Sequence, residues 1–429
     1  MSTRLRSLSE AGPSQSFASL RHSGYRMFFV GSATAMLADS IEHVISYWVV
    51  FQKFHSPALG GFAVLSHWLP FLLLSVHAGA LADRWDPRRL IQLGMLLFMF
   101  VSVTWAILFA TDSLQMWHAM ALLVVHGVAG VLWSPASQSL IHDIVGPHQL
   151  QSAVRLTATA RYLGLLAGPA VGAAFLLVLG PSTGLFVNAL LYAPLTVWLW
   201  RAPYGPRFRE GVAAPRAARG FADVLTTVRA VAGNVPIVSM TLLAGAASLF
   251  VGNAYQAQMP AFASDLGHGD PGMSYSLLLG ADAAGALTAG FVLESLGLLS
   301  PAPATACVLA MLWCCALGSF ALMSVYPLAL ALLFTAGFLE LSFNTMAQTL
   351  VQLHAPPPIR GRVIGLFSTT ALGFRTFSGV TVGLAGSVIG IHRSLALSAA
   401  AVFVATGVLL SVVGRMPAGS PQVARDPSV

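Results

Sequence analysis

Charge is what this sequence has least of. Charged residues make up 9% of its 429 residues, against about 25% in ordinary soluble proteins. No water-soluble surface can be built from so few charges, and with 56% hydrophobic residues most of the outer surface must face lipid. Lysine is scarcer still, Lys53 standing alone against many arginines. Cysteine is limited to Cys307, Cys314 and Cys315, all in one apolar run, which excludes a disulfide framework. No CxxC or Cys/His spacing occurs, so no metal is assigned. A nucleotide-binding glycine loop, a GxSxG elbow and a soluble domain are also missing, which argues against an enzyme and leaves no cofactor to expect. The first residues lack an apolar core, so no cleavable signal peptide is expected and the first spanning helix would start insertion.

What the chain has is apolar length. A spanning helix needs about 20 mostly apolar residues. Runs of that kind fall at 25–53, 59–82, 89–110, 116–140, 152–179, 182–201, 235–259, 272–298, 302–322, 326–352, 363–389 and 393–414. The sequence therefore predicts an all-α membrane protein of about twelve transmembrane helices. The net charge of +7 does not point to nucleic acid, because the arginines gather in short loops between spans. Arg84, Arg88, Arg89, Arg155, Arg360 and Arg362 fall in loops of one set, and only Lys53 and Arg393 in the other. The positive-inside rule then puts both termini in the cytoplasm of a multi-pass cell-membrane protein, a bacterial inner membrane by expectation.

Self-comparison divides the spans. Segment 127–141 aligns with 337–351, pairing Gly127 with Gly337 and Trp133 with Phe343. Pro147, Gly168 and Gly172 meet Pro358, Gly379 and Gly383, and Gly79-Ala80-Leu81 meets Gly285-Ala286-Leu287, all near half the chain length. The expected layout is a cytoplasmic segment 1–24, a six-helix bundle 25–201, a basic cytoplasmic linker 202–234, a second bundle 235–414 and a cytoplasmic tail 415–429. Parallel repeats of this kind place a binding site between the halves near the bilayer midplane.

Two motifs carry a family likeness. After the second span the chain reads Gly79-Ala-Leu-Ala-Asp83-Arg84-Trp-Asp86-Pro87-Arg88-Arg89, which resembles motif A of the major facilitator superfamily. Pro87 stands where that motif usually has Arg. Asp86 stands where many members have Gly, a feature similar to the drug:proton antiporter branch with its macrolide and siderophore exporters. The resemblance implies the major facilitator fold of two pseudo-symmetric six-helix bundles, monomeric action, and a cytoplasmic latch formed by Gly79, Asp83, Arg84, Arg88 and Arg89. In the fifth span, Gly164, Gly168, Pro169 and Gly172 resemble motif C, seen mainly in antiporters, although Ala173 replaces the final glycine. Glycines at four-residue spacing also make a flat packing face, and that reading stays open.

Charges inside a membrane cost at least about 2.5–3.5 kcal/mol each, so each is a functional candidate. Asp39 and Glu42 share one face of the first span, with Asp39 roughly 18 Å in from Met27 at about 1.5 Å per residue. That pair is a candidate proton carrier, with a structural bonding role as its alternative. Asp282 and Glu340 lie at comparable depth in the second half, with Arg375 near them, while Glu294 sits too close to a helix end. Arg161 and Arg375 are read as neutralising partners or as holds for an anionic group on a substrate. Asn344 and Gln348 are possible substrate contacts or interhelical bonds, and His43 and His67 are read as packing or interfacial residues in preference to proton relays. Acids outnumber bases at midplane, so the cavity is expected to favour neutral or cationic amphiphiles. The expected partners are lipids, protons and a small-molecule substrate, with a proton gradient as the energy source. Export by proton antiport leads; proton-coupled uptake is the rival, and a non-transporting scaffold or sensor stands behind both.

Overall fold

The computed structural model describes residues 17–54, 57–205, 208, 221–252, 254–266, 271–378, 381–382 and 385–414. The expectations for Gly379, Gly383, residues 1–16 of the N-terminal segment, 206–207 and 209–220 of the linker, the tail 415–429 and the Pro169 side chain lie outside what is described. Among the described residues every regular element is helical. The first part of the chain forms α1 (Ser23–Phe54), α2 (Pro57–Arg84), α3 (Pro87–Ala110), α4 (Met116–Val178), α5 (Gly180–Leu190) and α6 (Ala193–Arg201). The chain then runs through α7 (Phe221–Val231), α8 (Val235–Phe250), α9 (Ala254–Ala257), α10 (Met259–Asp265), α11 (Pro271–Ser295), α12 (Pro303–Ala321) and α13 (Tyr326–His354). It finishes with α14 (Arg360–Ser368), a π turn at Thr369–Gly373, α15 (Arg375–Ser378), α16 (Ala385–Ile389) and α17 (Ile391–Val413).

Nine helical stretches of the described residues are long and apolar enough to cross a membrane. One of them counts twice. The α4 helix has 63 residues, about 95 Å at about 1.5 Å per residue, and it breaks at Gly146, whose φ of 67° and ψ of 179° are not helical. A left-handed φ there suits glycine, and Pro147 restarts the helix as a first-turn residue. The 32-residue α1 carries Asp39 and Glu42 in mid-length, and α14 to α16 make an interrupted crossing. With these included, the described helices make twelve passes.

Burial follows the two-part sequence pattern. One apolar cluster draws every buried member from Val231 to Val402. Two others draw theirs from Tyr25 to Leu199 and from Ile41 to Leu185. The outer helices turn large apolar side chains outward, Leu177, Val388 and Trp200 among them, which suits a hydrocarbon solvent and would be untenable in water.

The internal repeat has a packing meaning. A Cβ on Gly127 would lie 2.1 Å from the Ser66 carbonyl oxygen of α2, and a Cβ on Gly337 would lie 1.9 Å from the Asp282 carbonyl oxygen of α11. Each glycine lets the fourth helix of its half rest directly on the second helix backbone. In lipid, where tails compete equally for apolar contact, such close approach is a main source of helix association.

Gly127→Ala and Gly337→Ala should each destabilise the purified protein by about 1–3 kcal/mol, the usual cost of overpacking. Thermal unfolding in detergent checks this, and an unchanged midpoint for both would contradict it.

Candidate functional site: a latch and two buried polar clusters

The helix ends near Arg84 define one face of the molecule, and those near Lys53 define the other. At the Arg84 face, α2 and α14 meet through glycines: a Cβ on Gly79 would sit 2.0 Å from the Gly361 carbonyl oxygen. That contact brings the Asp83 carboxylate over the first turn of α14. Its Oδ1 accepts from the Gly361 N–H at 2.5 Å, and its Oδ2 from the Arg362 N–H at 3.0 Å. Asp83 is buried. The first N–H groups of a helix have no intrahelical partner and sit at the positive end of its dipole, so a carboxylate is the natural cap.

A second bridge lies alongside. Arg155, just past the Gly146 break, donates to the carbonyls of Leu293, Leu298 and Leu299 at 3.0, 2.5 and 2.9 Å. Glu294 accepts from Ser152, and Gln151 donates to the Leu299 carbonyl. Gln352 donates to Gln138 at 3.1 Å deeper in. These bonds between the two halves gather toward the Arg84 face, so this conformation is closed there.

The motif A arginines do different work. Asp86 caps α3 by accepting from the Arg88 N–H at 3.0 Å, with Pro87 as the first helical residue. That accounts for the Asp86-Pro87 departure as a helix start. Arg88 pairs with Asp86, donates to the Ala202 carbonyl and lies over the Phe208 ring at 5.2 Å, so it ties α3 to the chain after α6 and not to the other half. Arg89 is exposed and bonds Gln92 at 2.9 Å, and Arg84 is exposed. Only Gly79 and Asp83 of the five reach α14 in the contacts described. The motif C glycines face α1: Gly164, Gly168 and Gly172 lie against Met36–Leu37, Ser40 and Val44.

In the first half, Asp39 and Glu42 close on a histidine. His126 of α4 is buried, with Nδ1 at 2.9 Å from Glu42 Oε1 and Nε2 at 2.9 Å from Asp39 Oδ1. Ser102 donates to Glu42, and Asn188 to Ser102 at 3.2 Å. His43 and His67 gather on the same spot, their rings 4.7 and 5.7 Å from that of His126. His126, Ser102 and Asn188 are absent from the sequence expectations. An intramembrane histidine and asparagine within apolar runs were the available signal.

In the second half, the hydroxyl of Tyr255 lies 3.1 Å from both Asp282 Oδ2 and Glu340 Oε2. Gln256 donates to the same Asp282 oxygen at 3.1 Å. Tyr255 and Gln256 come from α9, where the seventh pass is broken, and the sequence reading missed both. Arg375 lies over the Trp68 ring of α2 at 5.0 Å and lines a cavity of about 20 Å³ with Glu340 and Asn344. That volume holds about one water. Arg161 is exposed and lies 5.5 Å from the Tyr162 ring. Gln348 is half-buried on the Glu340 helix, α13.

A twelve-pass helical fold with two similar halves, bridged at one face and polar at mid-depth, defines a major facilitator transporter. The family model described as transmembrane secretion effector matches residues 14–427, and the chain belongs to that family. The chain is similar to the staphyloferrin A transporter of Staphylococcus aureus (strain NCTC 8325 / PS 47), 23% identical over 168 residues, 39% of this chain and 42% of the relative. The match thus spans less than half the length of that relative. Among solved structures, a variant of the E. coli fucose:proton symporter FucP superposes with a TM-score of 0.69 at 10% identity, over 92% of this chain and 100% of the other. The human organic anion transporter MFSD10 (TETRAN) gives 0.62 at 14% identity, over 90% and 98%. At these identities the two structures speak for the fold alone.

Asp83→Asn keeps the shape and removes the charge. Bonds to a charged group contribute about 1.5–3 kcal/mol, so the closed Arg84 face should lose population roughly ten-fold or more. A cysteine at Gln138 should then react faster with a hydrophilic maleimide; an unchanged rate would contradict the latch.

Proposed function

We propose that this transporter exports an amphiphilic small molecule, a drug or an endogenous product of siderophore type, in exchange for protons. The observation that carries the reading is the Tyr255 hydroxyl set at 3.1 Å from two buried carboxyl groups. A hydroxyl has one hydrogen to give. It donates to one carboxylate, so the other must itself carry a proton to make its contact favourable. Asp282 and Glu340 therefore share a proton between helices α11 and α13, within a few ångströms of the cavity wall formed by Asn344 and Arg375. Removing that proton leaves two like charges on one hydroxyl, and the cheapest relief is for the helices to move or for a cargo to intervene.

The proposal puts proton coupling in the second half, in preference to Asp39 and Glu42, which have His126 between them. Arg375 offers a cation to an anionic or electron-rich part of the cargo, while Trp68 supplies apolar area. The membership in a family described by secretion supports outward transport, as do the glycines at 164, 168 and 172. The partial likeness to a staphyloferrin A transporter supports the siderophore class. With both termini in the cytoplasm, the Arg84 face is the cytoplasmic one, and the conformation described is closed inward. Alternating access then consists of releasing Asp83 from α14 while the opposite face closes.

Everted vesicles under an imposed pH gradient test the reading with a panel of amphiphiles and siderophores. Cargo-dependent collapse of the gradient is expected, and Glu340→Gln or Asp282→Asn should abolish it while the protein still inserts and folds. Gradient collapse that persists in both variants would overturn the assignment. Tyr255→Phe should cost the hub about 1.5–3 kcal/mol, seen as a lower unfolding midpoint.

A further inference from the structure

Three histidines from three segments of the chain converge in the first half. His43 lies on α1, His67 on α2 and His126 on α4, and one ligand nitrogen from each falls within 4.8 Å of the others. The Asp39 carboxylate stands beside them, with Oδ1 at 2.9 Å from His126 Nε2 and 3.8 Å from His43 Nδ1. Ring contacts hold the set together: His43 lies 5.3 Å from His67.

The second nitrogens are what single this cluster out. A histidine that ligates a metal ordinarily gives its other N–H to a carboxylate or a backbone carbonyl, which fixes tautomer and ring direction. His126 has Nδ1 at 2.9 Å from Glu42, and Glu42 is itself held by Ser102. His43 has Nδ1 at 2.7 Å from the Asp39 carbonyl. In His43 that leaves Nε2 as the lone-pair nitrogen, while in His126 an ion would displace the proton on Nε2 and sit between that nitrogen and the Asp39 carboxylate. His126 Nε2 meets no hydrogen-bond partner of good geometry despite its closeness to Asp39, and buried His67 Nδ1 has none. Buried polar atoms without partners call for an explanation.

We propose that His43, His67, His126 and Asp39 form a binding site for a divalent first-row transition ion of the Zn²⁺ kind, with Glu42 as the positioning residue for His126. Three imidazoles and one carboxylate make a four-ligand set of the type that zinc takes up tetrahedrally. Calcium and magnesium, which ask for six or more oxygens, do not suit it. Tetrahedral ligation at about 2.05 Å puts nitrogens about 3.4 Å apart, so the rings need to close by roughly an ångström. A rotation of His67, which has no bond on Nδ1 to break, supplies much of that. The site stands apart from the Asp282–Tyr255–Glu340 hub, so either assignment can fail without the other.

The test uses the full chain, purified with its affinity tag removed and stripped with a chelator, then titrated with Zn²⁺ by equilibrium dialysis. One Zn²⁺ per chain is expected, with Mg²⁺ failing to compete. His67→Gln keeps His126 paired with its acids and should weaken binding at least about ten-fold, and Glu42→Gln by about ten- to a hundred-fold. His77→Ala, on α2 outside the cluster, should leave binding unchanged. Co²⁺ in place of Zn²⁺ should give the intense visible bands of four-coordinate nitrogen and oxygen ligation, lost in His67→Gln protein that still elutes as a folded species. Absence of saturable Zn²⁺ binding, or binding that His67→Gln and His43→Gln leave intact, overturns the site.

Discussion

The architecture depends on one constraint: a polar group inside a bilayer must find its partner within the protein. Water is not there to take up an unpaired N–H or a lone carboxylate, and each costs several kcal/mol if left alone. The same demand holds for a carboxylate buried in the protein at a helix end, as Asp83 is over the first turn of α14. One buried carboxylate and two end-of-helix N–H groups would each be costly apart, and together they satisfy one another. Because the partners sit on opposite halves, satisfying them also closes one face. The glycines at 79 and 361 are a consequence, since any side chain there would hold the carboxylate away.

The same constraint explains the two mid-depth clusters. Asp39 and Glu42 are tolerable because His126 lies between them, and Asp282 and Glu340 because Tyr255 does. The solutions differ in kind. A histidine presents one nitrogen to each acid, Nδ1 to Glu42 and Nε2 to Asp39. A phenol has a single hydrogen for two carboxyl groups.

Much of this was legible in the sequence where the signal is local. The spans, the α2–loop motif and the half-chain repeat rest on neighbouring residues, and Gly127 and Gly337 do turn out to occupy matching close contacts. The α3 cap at Asp86-Pro87 was legible as an oddity before its reason was visible. What could not be read depends on helices meeting. His126 is 84 residues from Glu42 in the chain, and Tyr255 is 85 from Glu340, so no spacing rule joins them. Arg88 was expected in the latch from the motif A resemblance, but α3 begins there and carries its side chain back toward Ala202. His43 and His67 were read as packing or interfacial residues because they lie on different spans, and only the fold gathers them with His126.

Alternating access requires the two halves to move against each other about a site that opens to one face at a time. Spin labels at Trp85 and Leu296 report the Arg84 face, and labels at Trp117 and Val325 the Lys53 face; all four positions are exposed. Pulsed electron resonance across a pH series, with and without cargo, should show the two distances changing in opposite directions, the Arg84 pair lengthening as the Lys53 pair shortens. Distances that stay fixed at both faces under every condition, or that lengthen together, would contradict the account.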